Sequence, residues 1–289
     1  MRYIHNFNVA SIPGRHPVYE SNLRGGRELE NCILMTPLSV VVITFNEEKQ
    51  IGRCIDSVLE IADEIVILDS YSGDSTVEIA ASKGARVYSQ EFLGYVEQKN
   101  KALQYASHNL VLSLDADEAI DSRLRTSIAA IKENTVHHGF TMNRCTNYCG
   151  KFIRHGLWYP DRKLRLFDKS LVKWSGDNPH DMIEFTTPKK NVLHLPGDIL
   201  HFSYNSIEEH VIQNNRFSSI SAESLAKRGR KSSWFNMIFN PWWAFFKGYF
   251  LRLGFLDGFY GFVIAVNVAH FTFLKHIKVY QKQKSKAPL

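Results

Sequence analysis

Residues 111–121 read VLSLDADEAID, an apolar run that ends in three carboxylates, Asp115, Asp117 and Glu118. Side chains two apart on a strand project to the same face, so Asp115 and Asp117 converge at the end of the strand that carries them. Carboxylates this close repel and raise one another's pKa unless a cation stands among them. Oxygen donors select a hard ion such as Mg2+ or Mn2+, and magnesium takes one or two protein carboxylates and completes its shell with substrate phosphates. The chemistry on offer is a metal–diphosphate clamp. The competing reading is a helix N-cap with acidic residues in its first turn. Asp121 and Ser122 already supply the start of the next helix, which leaves Asp115 and Asp117 unexplained by capping.

The elements that position this pair alternate strand and helix. LSVVVI (38–43) is a β-branched run suited to a strand buried on both faces. It ends in TFNEE, where Asn46 is placed to cap a helix whose apolar face is Ile51, Cys54, Ile55, Val58 and Leu59. EIVILD (64–69) predicts a second buried strand; after the loop SYSGDST, Ser75 and Glu78 form a capping-box pattern before a short helix ended by Gly84. ARVYS (85–89), a helix over roughly 95–107 and NLVLSL (109–114) follow. This order predicts an α/β fold with a mostly parallel sheet wound with helices. No G-x-G-x-x-G follows the first strand, which disfavours an ordinary dinucleotide fold.

Ligands of open α/β sheets bind beyond the carboxyl ends of the strands. Thr44, Phe45, Asn46 and Glu47 after the first strand, Asp69 closing the second, and Asp115 therefore share one edge. An aromatic there can stack on a base, and a carboxylate can accept a base N–H. Lys99 and Asn100, on the helix before the fourth strand, can reach phosphate or ribose.

Beyond residue 138 the pattern changes to shorter, half-exposed strands in GFTMNRCTNYC, RKLRLFD and LVKWSG. A helix over 207–229 follows, opened by a Ser206–Glu209 capping box. The tail is rich in Phe and Trp, but Lys247, Arg252 and Asp257 interrupt it, short of the roughly 20 apolar residues of a spanning helix. Its lysines and aromatics suit helices lying in a membrane interface; packing onto the α/β body is the alternative. The expected organisation is a loose N-terminal extension (1–36), a catalytic domain (37–204, with a nucleotide half to about 120 and an acceptor half after it), and a C-terminal helical region (205–289). Met35 stands just before the first strand and offers a second possible start.

The net charge of +6 suits an anionic partner such as a nucleotide or phospholipid, and no lysine–arginine block points to nucleic acid. Cys32, Cys54, Cys145 and Cys149 lack the spacing of a zinc site and read as reduced structural thiols of a cytosolic protein.

VVITFNEE, VILDSYSGDST, EQKNKAL and LDADE, taken in this order, resemble the nucleotide-sugar half of family 2 inverting glycosyltransferases of GT-A fold. RKLRLF (162–167), NPHDMIE (178–184) and the tail ending LGFLDGFYGF extend the likeness, which is similar to the WaaE-like (KdtX-like) lipopolysaccharide core glycosyltransferases. The resemblance implies that Asp69 contacts the base, that Asp117 ligates the metal, and that Asp115 lies nearer the ribose. It implies a catalytic base at Asp181, one methylene shorter than the family's usual acid, with Glu184 as fallback. His180 is expected to help hold metal or diphosphate, and Arg165 to contact the leaving group.

The function so implied is metal-dependent transfer of a sugar from a nucleoside diphosphate sugar, with uridine the family's commonest base, to a glycan or lipid-linked acceptor of the cell envelope. The expected location is the cytoplasmic face of the inner membrane, by peripheral contact. Two other readings stand beside it: a nucleotidyltransferase acting on sugar phosphates, which TFNEE disfavours because it is neither glycine-rich nor basic, and a non-catalytic nucleotide-binding scaffold.

Overall fold

The computed structural model describes residues 35–284, apart from 134–135, 178–179 and 189. The expected N-terminal extension lies outside the described residues as far as residue 34, as does Cys32. In chain order the elements are β1 (Leu38–Thr44), α1 (Ile51–Val58), β2 (Glu64–Asp69), α2 (Thr76–Ser82), β3 (Arg86–Ser89), α3 (Tyr95–Tyr105), β4 (Leu110–Asp115), β5 (Glu118–Ile120) and α4 (Ser122–Glu133). There follow β6 (Gly139–Tyr148), β7 (Lys151–Phe152), β8 (Asp161–Asp168), β9 (Val172–Asp177), β10 (His180–Phe185), β11 (Val192–Tyr204), α5 (Ile207–Lys227), α6 (Trp234–Phe246) and α7 (Gly258–Lys284).

One large sheet runs β3-β2-β1-β4-β8-β6-β11-β5, with β7 paired to β6, and β9 and β10 form a separate hairpin. β3, β2, β1 and β4 are parallel, as the alternation of strand and helix predicts. Val40 and Val42 are wholly buried on one face with Ile67, Leu112 and Leu114, while Val41 joins Val66, Leu68 and Val111 on the other. Burial on both faces is why these strands read as unbroken apolar runs, each such side chain contributing ~1.5–3 kcal/mol. The second half of the sheet is mixed: β8 is antiparallel to β4 and β6, and β11 is parallel to β6 but antiparallel to β5.

Two local details depart from expectation. Asn46 does not cap α1: it turns into the left-handed region (φ 53°), where its Oδ1 accepts from Gly73 N and its N–H donates to Ser72 Oγ, lacing the two rim loops together. Ser75 makes no side-chain cap on α2; Asp74 Oδ1 accepts from Thr76 N instead. An Asp that bonds two residues on competes locally with a Ser cap. Other caps are as expected. Asp121 Oδ1 accepts from Leu124 N at 2.7 Å, and Ser206 Oγ accepts from Glu209 N at 3.1 Å.

α7 is anchored to the sheet where Ile264 packs on Tyr148 and Ile153. The buried Asp257 carboxylate, just before it, accepts from the backbone N–H groups of Arg154 and His155. Asn214 of α5 donates to the Asn267 carbonyl of α7.

Candidate active site

The parallel strands end together. β1–β2 pairing sets Thr44 beside Asp69, and β1–β4 pairing sets Ile43 beside Asp115. Asp69 is buried at this rim and accepts from both the N–H and the hydroxyl of Ser72, so the SYSGDST loop fixes its carboxylate. Phe45 is 57% exposed at the same edge.

The acidic run is answered mainly by the protein's own cations. Lys99 of α3, 3% exposed, places Nζ 2.9 Å from Asp115 Oδ1 and 2.9 Å from Asp181 Oδ2. Arg165 Nη2 stands 2.9 Å from Asp115 Oδ2 and 3.3 Å from Glu118 Oε1. Burial opposes ionisation of Asp115, but Arg165 and Lys99 overcome it and hold the carboxyl well below the usual carboxylate range. Glu118 is buried as a second counter-ion of Arg165, with Arg144 Nη1 3.7 Å away, and also accepts from Asp115 N. The expectation that these acids need an external ion thus fails for Asp115 and Glu118.

Asp117 is different. Its Oδ2 faces His201 Nε2 of β11 at 3.1 Å, and the carboxylate is 28% exposed. The partnering of β5 with β11 makes this contact: His201 pairs with Glu118 in register, and Phe202 N donates to Asp117 O. The β11 register shifts between His194 and Asp198, where Gly197 (φ +109°) lies so close to α4 that a Cβ would sit 2.2 Å from Leu124 N. Nearby, burial and then the charges of Asp117 and Asp74 push Glu47 up to about 7.

No motif spacing in the sequence marks His201. His180, expected as a metal partner, has its side chain outside the described residues. Asp117 and His201 fit a divalent ion. The carboxylate suits Mg2+ or Mn2+ with phosphate and water completing the shell, and the imidazole nitrogen makes the pair better matched to Mn2+ than to Mg2+, which prefers oxygen throughout. Among the described residues no cluster of three or more such ligands forms. Thr44 Oγ1, Arg165 Nη1, Trp174 Nε1 and His201 Nδ1, on or beside this network, are buried with no hydrogen-bond partner among the described residues. A buried polar atom left unpaired calls for a partner such as an ordered water, an ion or a ligand group.

Other expected residues fall as follows. Asn100 is spent on the backbone of Trp174, donating to its carbonyl at 2.8 Å and accepting from its N–H at 3.0 Å, so it fastens β9 to α3 rather than reaching phosphate or ribose. Trp174 in turn lies 4.6 Å below Lys99 Nζ. Arg165 is skipped in the β8–β6 register between Leu164 and Leu166, a bulge that turns its guanidinium to Asp115. Asp181 is on the inward face of β10 with Ile183 and Phe185, whereas Glu184 is on the outward face, 3.8 Å from Lys173. That period-2 opposition removes Glu184 as a fallback base.

Residues 39–188 match the family model described as glycosyl transferase family 2. Over 262 residues the chain is 33% identical to an uncharacterized glycosyltransferase of Rickettsia typhi, covering 85% of this chain and 87% of that one. It is 31% identical over 265 residues to LpsC of Rhizobium meliloti, a lipopolysaccharide core biosynthesis glycosyltransferase, covering 87% and 94%. In architecture it is similar to the mannosyltransferase PcManGT of Pyrobaculum calidifontis, solved with GDP-Man and Mn2+: TM-score 0.53 at 15% identity, covering 85% and 87%. That likeness is one of fold: a GT-A-like sheet flanked by helices, with a C-terminal helical extension.

Proposed function

This chain belongs to glycosyl transferase family 2, and from that premise we propose that it is an inverting, metal-dependent hexosyltransferase. Its donor is a nucleoside diphosphate sugar, with uridine the first base to try, and its acceptor is a glycan or lipid-linked glycan of the cell envelope. The kinship with LpsC supports lipopolysaccharide core assembly. The observation that carries the reading is the double contact of Lys99, which ties Asp115 on the donor side to Asp181, the offered base, at 2.9 Å each.

In this reading Phe45 stacks on the base and Asp69 accepts its N–H. Asp115, held by Lys99 and Arg165, lies toward the ribose, and the unpartnered Arg165 Nη1 is a donor for the leaving diphosphate. Asp117 and His201 would hold a divalent ion, which would supply Lewis-acid neutralisation of negative charge on the diphosphate. Asp181 takes the proton from the attacking hydroxyl, a role worth ~10²–10⁴-fold. Lys99 keeps that carboxylate at a fixed place, and attack from the face opposite the diphosphate inverts the anomeric centre.

The C-terminal helices supply peripheral contact with the cytoplasmic face of the inner membrane. Supporting this, Phe235, Phe239, Trp242, Phe246 and Phe250 run as an aromatic ladder with successive ring centroids 5.0, 6.0, 5.6 and 5.4 Å apart. Four of the five are exposed, beside the exposed Trp234 and Ile238. An apolar surface of this kind suits an interface. Contrary to the sequence expectation, Gly254–Lys284 is long and apolar enough by length and composition to cross a membrane; because Ile264, Ala265 and Asn267 are buried against the rest of the protein, we read it as lying along the interface.

The test is a panel of UDP- and GDP-sugars with Mg2+ or Mn2+, scored for product. Release of nucleoside diphosphate with an inverted glycosidic linkage supports the proposal. Pyrophosphate as product, or no consumption of any sugar nucleotide, overturns it.

A further inference from the structure

A cleft of about 470 Å³ opens between the sheet and the C-terminal helices, within the ~300–1,000 Å³ of small-molecule sites. Arg144, Thr146, Asp161 and Ser203 give it polar groups, and Trp158 and Tyr204 give it an aromatic wall, their rings stacked at 5.5 Å. Hydroxyl-binding groups beside an aromatic face are what a pyranose ring requires: its hydroxyls need partners and its C–H face needs an apolar surface. Arg144 is oriented for this, held by Asp161 at 2.9 Å and by Glu118 at 3.7 Å. His201 lines the cleft and also touches Asp117, so the cleft meets the candidate donor site at that residue.

α7 adds a second constraint. Val268 and Phe271 form part of the cleft wall. Phe259, Phe262, Val266, Phe273 and Ile277 are exposed, and at 100° per residue they fall in one stripe on the opposite side of the helix. With that stripe on a bilayer, the cleft stands about one helix diameter, ~10–12 Å, above the lipid.

We propose that the cleft binds the terminal sugar of a membrane-anchored oligosaccharide, and that α7 is a spacer which excludes acceptors whose accepting sugar is joined directly to lipid. This rests on the glycosyl-transfer reading above. In the transfer, the acceptor hydroxyl oxygen bonds to the anomeric carbon as the bond from that carbon to the diphosphate oxygen breaks. The electron pair leaves with the diphosphate and the hydroxyl proton passes to the base.

The experiment uses the full chain with its sugar nucleotide and Mn2+, on vesicles carrying lipids with one-, two- or three-sugar heads. Transfer is expected to rise with head length and to be negligible for the single sugar. Phe271→Trp, which fills the cleft, and Thr146→Val, which removes one hydroxyl, are expected to raise KM for the long-headed lipid about tenfold or more, with the KM for sugar nucleotide moved far less. Melting curves check that both variants fold, and Thr146→Val is the milder change. Equal use of one- and three-sugar heads overturns the spacer. Acceptor KM unmoved in both variants, or sugar nucleotide consumed with none of these lipids used, overturns the cleft. Failure to consume any sugar nucleotide instead counts against the transferase reading itself.

Discussion

His201 Nε2 lies 3.1 Å from Asp117 Oδ2, across 84 residues of chain, because β5 pairs with β11. The carboxylate of Asp117 has neither of the cations, Lys99 and Arg165, that neutralise Asp115. If these two side chains hold the ion, Asp117→Ala and His201→Ala each lose the Mn2+-dependent part of nucleotide binding. Calorimetry with UDP, with and without Mn2+, reads this directly; a variant that keeps the full Mn2+ enhancement removes its residue from the metal site.

Asp181 and Glu184 are separated by the pleat of one strand. Asp181→Asn is expected to lower kcat by ~10²–10⁴-fold while leaving nucleotide affinity nearly intact. Glu184→Gln, on the outward face with Lys173, is expected to stay within about twofold of the parent, since surface substitutions cost little. Comparable losses in both variants would contradict the assignment.

Lys99 compensates two carboxylates at once. Lys99→Met leaves Asp115 with Arg165 alone and Asp181 without a cation at 2.9 Å. Breaking a buried pair costs ~3–5 kcal/mol. Asp115 keeps 29% of its side-chain surface exposed, so the low end, about 3 kcal/mol, is expected. Denaturant unfolding measures it, and a loss below about 1 kcal/mol would place the ammonium among ordinary surface pairs.

Burial pushes His210 down to about 4. Its Nδ1 is 3.0 Å from the Tyr148 hydroxyl, and its ring packs on Trp158 and Tyr204. An unfolded histidine titrates near ~6.5. Between these values the unfolded chain binds a proton that the folded chain refuses, so this contribution to stability is whole above pH ~6.5 and declines as pH falls toward 4. The melting temperature is expected to drop from pH 7 to pH 5, and His210→Gln to flatten that slope. An unaltered slope in the variant would assign the pH dependence elsewhere.

The aromatic ladder of α6 is separable from the core. Replacing Phe235, Phe239 and Trp242 together by Ser removes exposed side chains and is expected to abolish flotation with anionic vesicles while the protein stays folded. Flotation equal to the parent's, or a parent that does not float, ends the interfacial reading.

β1, β2 and β4 were legible because burial on both faces leaves an unbroken apolar run, and parallel strands joined by helices must end on one edge. Thr44, Asp69 and Asp115 were therefore placed together from local pattern alone. The tail's aromatics were legible as a cluster, but which of them face out, such as Trp234, Phe235 and Trp242, follows only from how the helices pack.

What the acidic run holds was decided by distant partners. Lys99 comes from the preceding helix, Arg165 from a strand whose register slips at that residue, and His201 from β11, the strand on which β5 pairs. A period-2 or period-3.6 pattern records which face of an element is apolar. It does not record which remote strand lies beside it, nor where a bulge re-aims one side chain. Those follow from pairing and packing, so the identity of the charges around Asp115 and Asp117 belongs to the tertiary structure.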